Sequence, residues 1–429
     1  MPHPNIVFIT CHDLGRHLGC YGRATVDSPA LDALAASGAR FDRAFCTAPQ
    51  CSPSRASLHT GRYPHATGVL GLAHPPFGWR LPPRERHLAH LLRDHGYATC
   101  LVGMQHLIAH GQAEELGYER VLPVAPAPEA AAAAVAVLRD LAASDQPFYL
   151  ELGFEEPHRP FDFGGATPDD RLGVKVPQYL PDGPEARRDF AAFQGAIRRM
   201  DQGAGVVLRE LDDLGLTANT WVIFTADHGA PMPRAKATLY DPGIEVALLM
   251  RWPDGGIGPG QAFERLISNV DVVPAMLDGL GLALPGNLHG RSFWPLLRSE
   301  SYQPRQAIFV EKTFHTHYEP MRGVRTATHK YIVNFEVGTA VDVPADVQQS
   351  PIYPLLIPAF GPVRDQVECY DLTVDPWEGE NIAGAPEIAE VETELRHRLR
   401  DWMIETGDPL LTGPVASPYY RAAIERLHG

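Results

Sequence analysis

The chain has 429 residues, 37 basic against 52 acidic side chains, and a formal charge of −15 with neutral histidines. That balance excludes broad binding to nucleic acid or to an anionic membrane, since both need a basic surface to displace counterions; a small anionic substrate in a local pocket remains compatible with it. With 45% hydrophobic and 21% charged residues, the composition is that of a globular protein with enough chain for one large domain or two.

Six scattered cysteines, at positions 11, 20, 46, 51, 100 and 369, contain no C-x-x-C pair and suggest neither a disulfide framework nor a zinc or redox motif. No segment holds the ~18 uncharged apolar residues that would span a bilayer. The run Asn5–Thr10 reads as a short buried strand and not as the apolar core of a secretory leader. The expectation is a soluble, cytoplasmic protein with reduced thiols.

Along the chain, short apolar runs alternate with helical patterns, the signature of a mostly parallel sheet covered by helices on both faces. A strand is predicted at Asn5–Thr10 and helices at Pro29–Ala36 and His87–His95. A strand at Ala98–Val102 precedes a helix at Glu129–Ala143, whose Ala130–Ala134 tract has high helix propensity. Then come a strand at Pro147–Leu152, a helical stretch over Ala186–Leu214 with a break, strands at Thr220–Ala226 and Val246–Arg251, a helix at Asp271–Leu280 and a strand at Ala307–Glu311. Past residue 300 the pattern changes, with a strand at Tyr331–Phe335 and a terminal helix at Ile388–Glu405. This divides the chain into a large α/β domain over 1–305 and a smaller α+β subdomain over 306–429. The aperiodic stretch Gly338–Pro362 is read as a long loop at the site or at a subunit interface.

Two predicted strands end on side chains suited to a divalent cation: Cys11-His12-Asp13 follows Asn5–Thr10, and Asp227-His228-Gly229 follows Thr220–Ala226. Ligands of open α/β sheets gather at the carboxyl ends of strands. Oxygen ligands suit Ca²⁺, Mg²⁺ or Mn²⁺, and imidazole admits Mn²⁺ or Zn²⁺. A third element is Cys51-Ser52-Pro53-Ser54-Arg55, followed by Leu58-His59-Thr60-Gly61-Arg62. Here Ser52 reads as a helix N-cap, which puts Cys51 where helix N–H groups favour an anion and leaves Arg55 one turn away, able to reach back to it.

The Cys51–Arg62 segment resembles the signature of the formylglycine-dependent sulfatases of the alkaline phosphatase superfamily, in which that cysteine is oxidised after translation to an aldehyde. The resemblance extends over nearly the whole chain: Asn5–Gly22, Met200-Asp201 through Asp227-His228-Gly229, Lys236–Gly243 with Leu248–Pro253, His289–Ser292, and Tyr370–Pro376. Within the family the chain is most similar to the N-sulfoglucosamine sulfohydrolases, through Glu156-Pro-His158-Arg159, Val176–Pro184 leading into Arg199–Gly203, and Glu319–Arg322.

The resemblance implies an alkaline-phosphatase-like fold, a divalent cation (Ca²⁺ or Mn²⁺) and a formylglycine hydrate at position 51 that attacks the sulfur of a small sulfated substrate. It assigns the metal to Asp13, Asp227, His228 and the modified Cys51, with His12 beside them. It makes Arg55 the residue that steadies position 51 and His106 the group that helps it ionise, and it sets Lys236 and His158 against the sulfate and leaving group. A formylglycine-generating enzyme is the implied maturation partner, and a homo-oligomer is the base-rate assembly. Arg159, His65, His315, His317 and Arg322 are candidates for sugar recognition.

Three departures stand out. The first metal loop has His12-Asp13 where the family usually carries two aspartates, the second has Asp227-His228 where Asp-Asn is common, and Met104 replaces a lysine two positions before His106. The added nitrogen ligands shift preference from Ca²⁺ toward Mn²⁺. An Asp-His second loop also resembles that of phosphonate monoester and phosphodiester hydrolases of the same superfamily, which makes phosphoryl or phosphonyl transfer the alternative. The missing lysine motivates a third reading, a catalytically silent binder of anionic sugars.

Overall fold

The computed structural model describes residues 3–109, 111–337, 341–357 and 364–428. Its centre is an eight-stranded sheet built from β1 (Asn5–Cys11), β2 (Ala39–Phe41), β3 (Ala98–Gly103), β4 (Arg120–Leu122), β5 (Phe148–Gly153), β6 (Thr220–Ala226), β7 (Leu248–Arg251) and β8 (Gln261–Phe263). The strand order is β4-β3-β5-β1-β6-β7-β2-β8. Only β7 runs against its neighbours, antiparallel to both β6 and β2. The central strands read as unbroken apolar runs because helices cover both faces: Ile6 to Ile9 and Trp221 to Phe224 are fully buried.

Register decides where the site lies. Thr10 pairs with Gly153 on one side and Thr225 on the other, and Gly103 pairs with Gly153. The carboxyl ends of β1, β3, β5 and β6 are therefore level, and the loops that follow them open at one edge. Gly103 is required there: its φ is +91°, and a Cβ would stand 2.1 Å from the Gly153 carbonyl oxygen.

The helices are α1 (Pro29–Ser37), α2 (Cys51–Thr60), α3 (Leu88–Asp94), α4 (Ala127–Ala142), α5 (Pro184–Asp213), α6 (Val272–Gly279), α7 (Ala389–Thr406) and α8 (Pro418–His428), with shorter turns between them. The break expected in Ala186–Leu214 is absent, and α5 is one continuous helix of 30 residues. Its glycines serve close approach, not bending: a Cβ on Gly195 would meet the Thr167 carbonyl oxygen at 1.9 Å. The N-cap of α2 is Gln50, not Ser52; Ser52 lies inside the helix and its hydroxyl accepts from the Ala73 N–H at 2.9 Å.

A second, antiparallel sheet of β9 (Ala307–Phe314), β10 (Tyr318–Thr326), β11 (His329–Asn334) and β12 (Val367–Asp371) forms the smaller C-terminal part, with α7 packed on β10 and β11. Between β11 and β12 the aperiodic stretch holds two single turns, Ala345–Gln348 and Tyr353–Leu356. Residues 338–340 and 358–362 of that predicted loop lie outside the described residues. None of the six cysteines is in a disulfide. Among the described residues, no helix is long and apolar enough to cross a membrane.

Candidate active site

The site is assembled at the level edge of the large sheet. Helix α2 begins there with Cys51, and its first turn is fastened to the ends of β1 and β6. The Ser54 hydroxyl donates to the Asp227 carbonyl oxygen. Arg55 donates from Nε to Asp227 Oδ2 at 3.1 Å, from Nη1 to Thr10 Oγ1 at 3.2 Å and from Nη2 to the Cys11 carbonyl at 3.2 Å. Arg55 thus holds a carboxylate of the second loop and the end of β1. The reach toward Cys51 expected from sequence is not among these bonds.

The two loops after β1 and β6 interlock. Asp227 Oδ1 accepts from the backbone N–H of Asp13 at 2.9 Å and of His228 at 2.8 Å. His228 Nε2 lies 3.0 Å from Asp13 Oδ1 and 3.5 Å from Cys51 Sγ. His12 Nε2 is 3.3 Å from Asp227 Oδ2, yet neither ring nitrogen of this fully buried histidine has a hydrogen-bond partner. Candidate ligand atoms of His12, Asp13, Cys51 and Asp227 all lie within 4.8 Å of one another.

His106 and His158, from the loops after β3 and β5, close the site around His12. The His158 ring stacks on His12 at 4.7 Å, and the His106 ring meets it edge-on at 4.9 Å. Lys236, which the resemblance sets against the sulfate, is buried. Its ammonium donates to Asp13 Oδ2 at 2.6 Å and to Asp346 Oδ2 at 2.7 Å, and lies 3.1 Å from His158 Nε2. The ammonium therefore fills the space among Asp13, His158 and Asp346 that a second cation would otherwise take. Backbone strain gathers here too, since Asp13, His106 and Ala237 all have left-handed φ values between 55° and 65°.

Burial and charge set the protonation states. Burial alone would push the Lys236 ammonium down, but Asp13 and then Asp346 outweigh it and hold it well above the usual lysine value. Burial would raise the Asp13 carboxyl; Lys236, His158 and His228 together keep it well below the carboxylate range. His228 is raised well above an ordinary imidazole, burial being overcome by Asp227 and Asp13. Burial holds His12 and His106 well below theirs, aided at His106 by Arg55. Burial also raises the Cys51 thiol, against the opposing pull of Lys236.

All nine residues assigned from the sequence are thus neighbours at one edge. Asp346 was missed; the only signal was that its aperiodic stretch could fold over the site. Three of the sugar-recognition candidates lie in internal networks instead. Arg159 donates to Asp189 and to the Pro231 carbonyl, His65 Nδ1 is 2.9 Å from Glu311 Oε2, and Arg322 is fully buried against Asp408. His317 is held through its backbone N–H by Asp342 at 3.2 Å. His315 is buried within the electrostatic reach of Lys236 and Asp346.

The sulfatase family profile matches residues 4–282, and the profile of the N-sulphoglucosamine sulphohydrolase C-terminal region matches residues 234–353. The human N-sulphoglucosamine sulphohydrolase is 31% identical, with 96% of this chain and 92% of that protein aligned. The chain belongs to the sulfatase family. Human arylsulfatase A is 29% identical over 92% of this chain and 87% of its own. Two solved structures share the fold of this sulfatase. One is a 2-O GAG sulfatase, with TM-score 0.76, 23% identity, and 98% of this chain and 96% of that one covered. The other is a protein in complex with its substrate D-glucosamine-2-N,6-O-disulfate, with TM-score 0.72, 19% identity, and coverage of 95% and 98%.

Proposed function

We propose that this chain hydrolyses sulfate esters or sulfamates of sugars, N-sulfoglucosamine among them, with residue 51 as nucleophile after oxidation of Cys51 to formylglycine. The observation that carries the reading is the place of Cys51, buried at the first position of α2 with its sulfur 3.5 Å from His228 and its ligand atom grouped with those of His12, Asp13 and Asp227. A thiol whose pKa burial has raised is protonated at neutral pH and is a poor nucleophile. Conversion by a formylglycine-generating partner would supply an aldehyde hydrate, and with it an oxygen nucleophile, at the same point.

The donor set fits a divalent cation. Asp13, Asp227, His228 and residue 51 would hold it, and His12, with both ring nitrogens unpartnered, offers a further ligand. Two carboxylates with two imidazoles favour Mn²⁺ over Ca²⁺. Such a cation supplies Lewis acidity and lowers the pKa of a hydroxyl beside it.

The remaining work belongs to the chain's own side chains. Arg55 keeps the Asp227 carboxylate aimed inward. His106, neutral because it is buried, can take a proton from residue 51. Lys236 brings fixed positive charge to the sulfuryl oxygens, and its ammonium, 3.1 Å from His158 Nε2, can supply through that nitrogen the proton that the leaving atom takes up. Residues 1–305 make up the catalytic unit, and the C-terminal subdomain from 306 lends it Asp346.

The test combines the mass of the peptide spanning residue 51, from the native host, with sulfate release from N-sulfoglucosamine, sugar O-sulfates and aryl sulfates. A formylglycine mass with sulfate release is expected. An unmodified thiol, no bound metal and no release would instead favour the silent sugar-binding protein. The Asp227-His228 pair and the apolar Met104 favour one second reading, phosphonate monoester or phosphodiester hydrolysis. Rates on matched sulfate and phosphate esters separate the two.

A further inference from the structure

Asp346 sits on the single turn Ala345–Gln348, 110 residues beyond the lysine it touches. Its Oδ2 is 2.7 Å from Lys236 Nζ and 3.6 Å from His158 Nε2. Its side chain is 17% exposed where those of Asp13 and Lys236 are 0% and 1%, so it stands at the mouth of the site. A carboxylate there is costly to an enzyme that binds anions, because it opposes the sulfuryl group and draws on the same lysine. It cannot be explained as a ligand of a second cation, since the lysine ammonium occupies that space.

An ionised carboxylate only accepts hydrogen bonds. The three sulfuryl oxygens of a substrate are acceptors, and so is the bridging oxygen of a sulfate ester. The bridging nitrogen of a sulfamate is different, because it carries an N–H. We propose that Asp346 is a specificity-determining residue that accepts the hydrogen bond of the leaving nitrogen, favouring sulfamates over O-sulfate esters. The inference rests on the sulfatase reading above. In the overall reaction, R–NH–SO₃⁻ + H₂O → R–NH₃⁺ + SO₄²⁻, the S–N bond breaks and its electron pair stays on nitrogen. That nitrogen gains two protons to become an ammonium, and water supplies the fourth oxygen of sulfate. The ammonium product forms beside Asp346, which pairs with its charge, whereas an alcohol product offers only a neutral O–H.

The experiment compares wild type with Asp346→Ala and Asp346→Glu on N-sulfoglucosamine and on phenyl sulfate. The ratio of the two kcat/KM values should fall about ten- to a hundredfold in Asp346→Ala, the range of a hydrogen bond to a charged group, and recover in part with Glu. A loss of equal size on both substrates would overturn the assignment and make Asp346 a support for Lys236 and His158. Calorimetry supplies an arm independent of turnover. Asp346→Ala should bind glucosamine more weakly and inorganic sulfate more tightly than wild type, and unchanged glucosamine affinity would overturn the proposal. If wild type releases sulfate from neither substrate, the sulfatase reading fails by itself, and the binding arm still decides the role of Asp346.

Discussion

Two clusters of buried charge can be set side by side, one at the strand edge and one beneath the C-terminal sheet. In the second, Arg322 on β10 donates to both carboxylate oxygens of Asp408, to Thr313 Oγ1 and to the carbonyls of Lys312 and Met321. Glu311 completes it by accepting from the backbone N–H and lying 2.9 Å from Nδ1 of His65. Arg322 has no unused donor, since its Nη2 also lies 3.3 Å from Glu311 Oε2, and of the cluster's two imidazole nitrogens only His65 Nε2 is left without a partner. At the strand edge His12 keeps two unpartnered nitrogens, one lysine is shared between two carboxylates, and three non-glycine residues hold left-handed backbone. Buried polar groups left open in this way raise the energy of the folded state unless something binds them. The difference teaches that neither burial nor charge marks a site by itself; the convergence of unpartnered ligand atoms, grouped carboxylates and strained backbone at one strand edge does.

The comparison can be broken most directly by exchanging single residues and reading activity against stability. Cys51→Ala should lower sulfate release at least about a thousandfold while the melting temperature stays within about 4 °C. A variant that keeps activity would remove residue 51 from the chemistry. Asp408→Ala should do the reverse. It takes from buried Arg322 the carboxylate that accepts from both Nε and Nη2, leaving only Glu311 Oε2 at 3.3 Å, and should cost about 3 kcal/mol in denaturant unfolding, with kcat per folded molecule unchanged. A smaller effect separates the clusters by ligand. A divalent cation at a hundred times its Kd should stabilise the protein by about 2.7 kcal/mol, and chelation should reverse the gain. The same increment is expected in Asp408→Ala, and its absence in His228→Ala would tie it to the strand edge.

Much of this was legible in the sequence, for reasons that differ by residue. The runs Asn5–Thr10 and Thr220–Ala226 announce buried parallel strands because both faces are covered, and the polar residues after them must then emerge at one edge. The three-residue strands Ala39–Phe41, Arg120–Leu122 and Gln261–Phe263 carry too little pattern to be read. The glycines of α5 suggest a break because sequence does not reveal the backbone they must let past. Arg55 is sequence-close to Cys51, yet its bonds go to Asp227, 172 positions on. Asp346 lies in a stretch without periodicity, and Arg322 finds Asp408 86 residues later. An open carboxylate and a closed arginine look alike until the fold supplies partners or withholds them.

Acid sharpens the comparison with the smallest expected effect. Burial by itself would raise the Asp408 carboxyl, but the Arg322 guanidinium outweighs it and holds that carboxyl below the usual range. A carboxyl depressed in the folded state contributes stability that is fully present above its unfolded value near 4. That contribution is lost as pH falls through the folded value. Asp408→Asn, which keeps the shape and removes the charge, should therefore be less stable than wild type at pH 7. The gap should narrow steadily as pH drops below about 4, because wild type loses by protonation what the variant lacks already. Denaturant unfolding from pH 7 to pH 2.5 measures the gap directly. A constant difference across that range would show that Asp408 acts through the two acceptor oxygens it offers Arg322, one of which Asn lacks, and the cluster would then owe its stability to hydrogen-bond fit more than to charge.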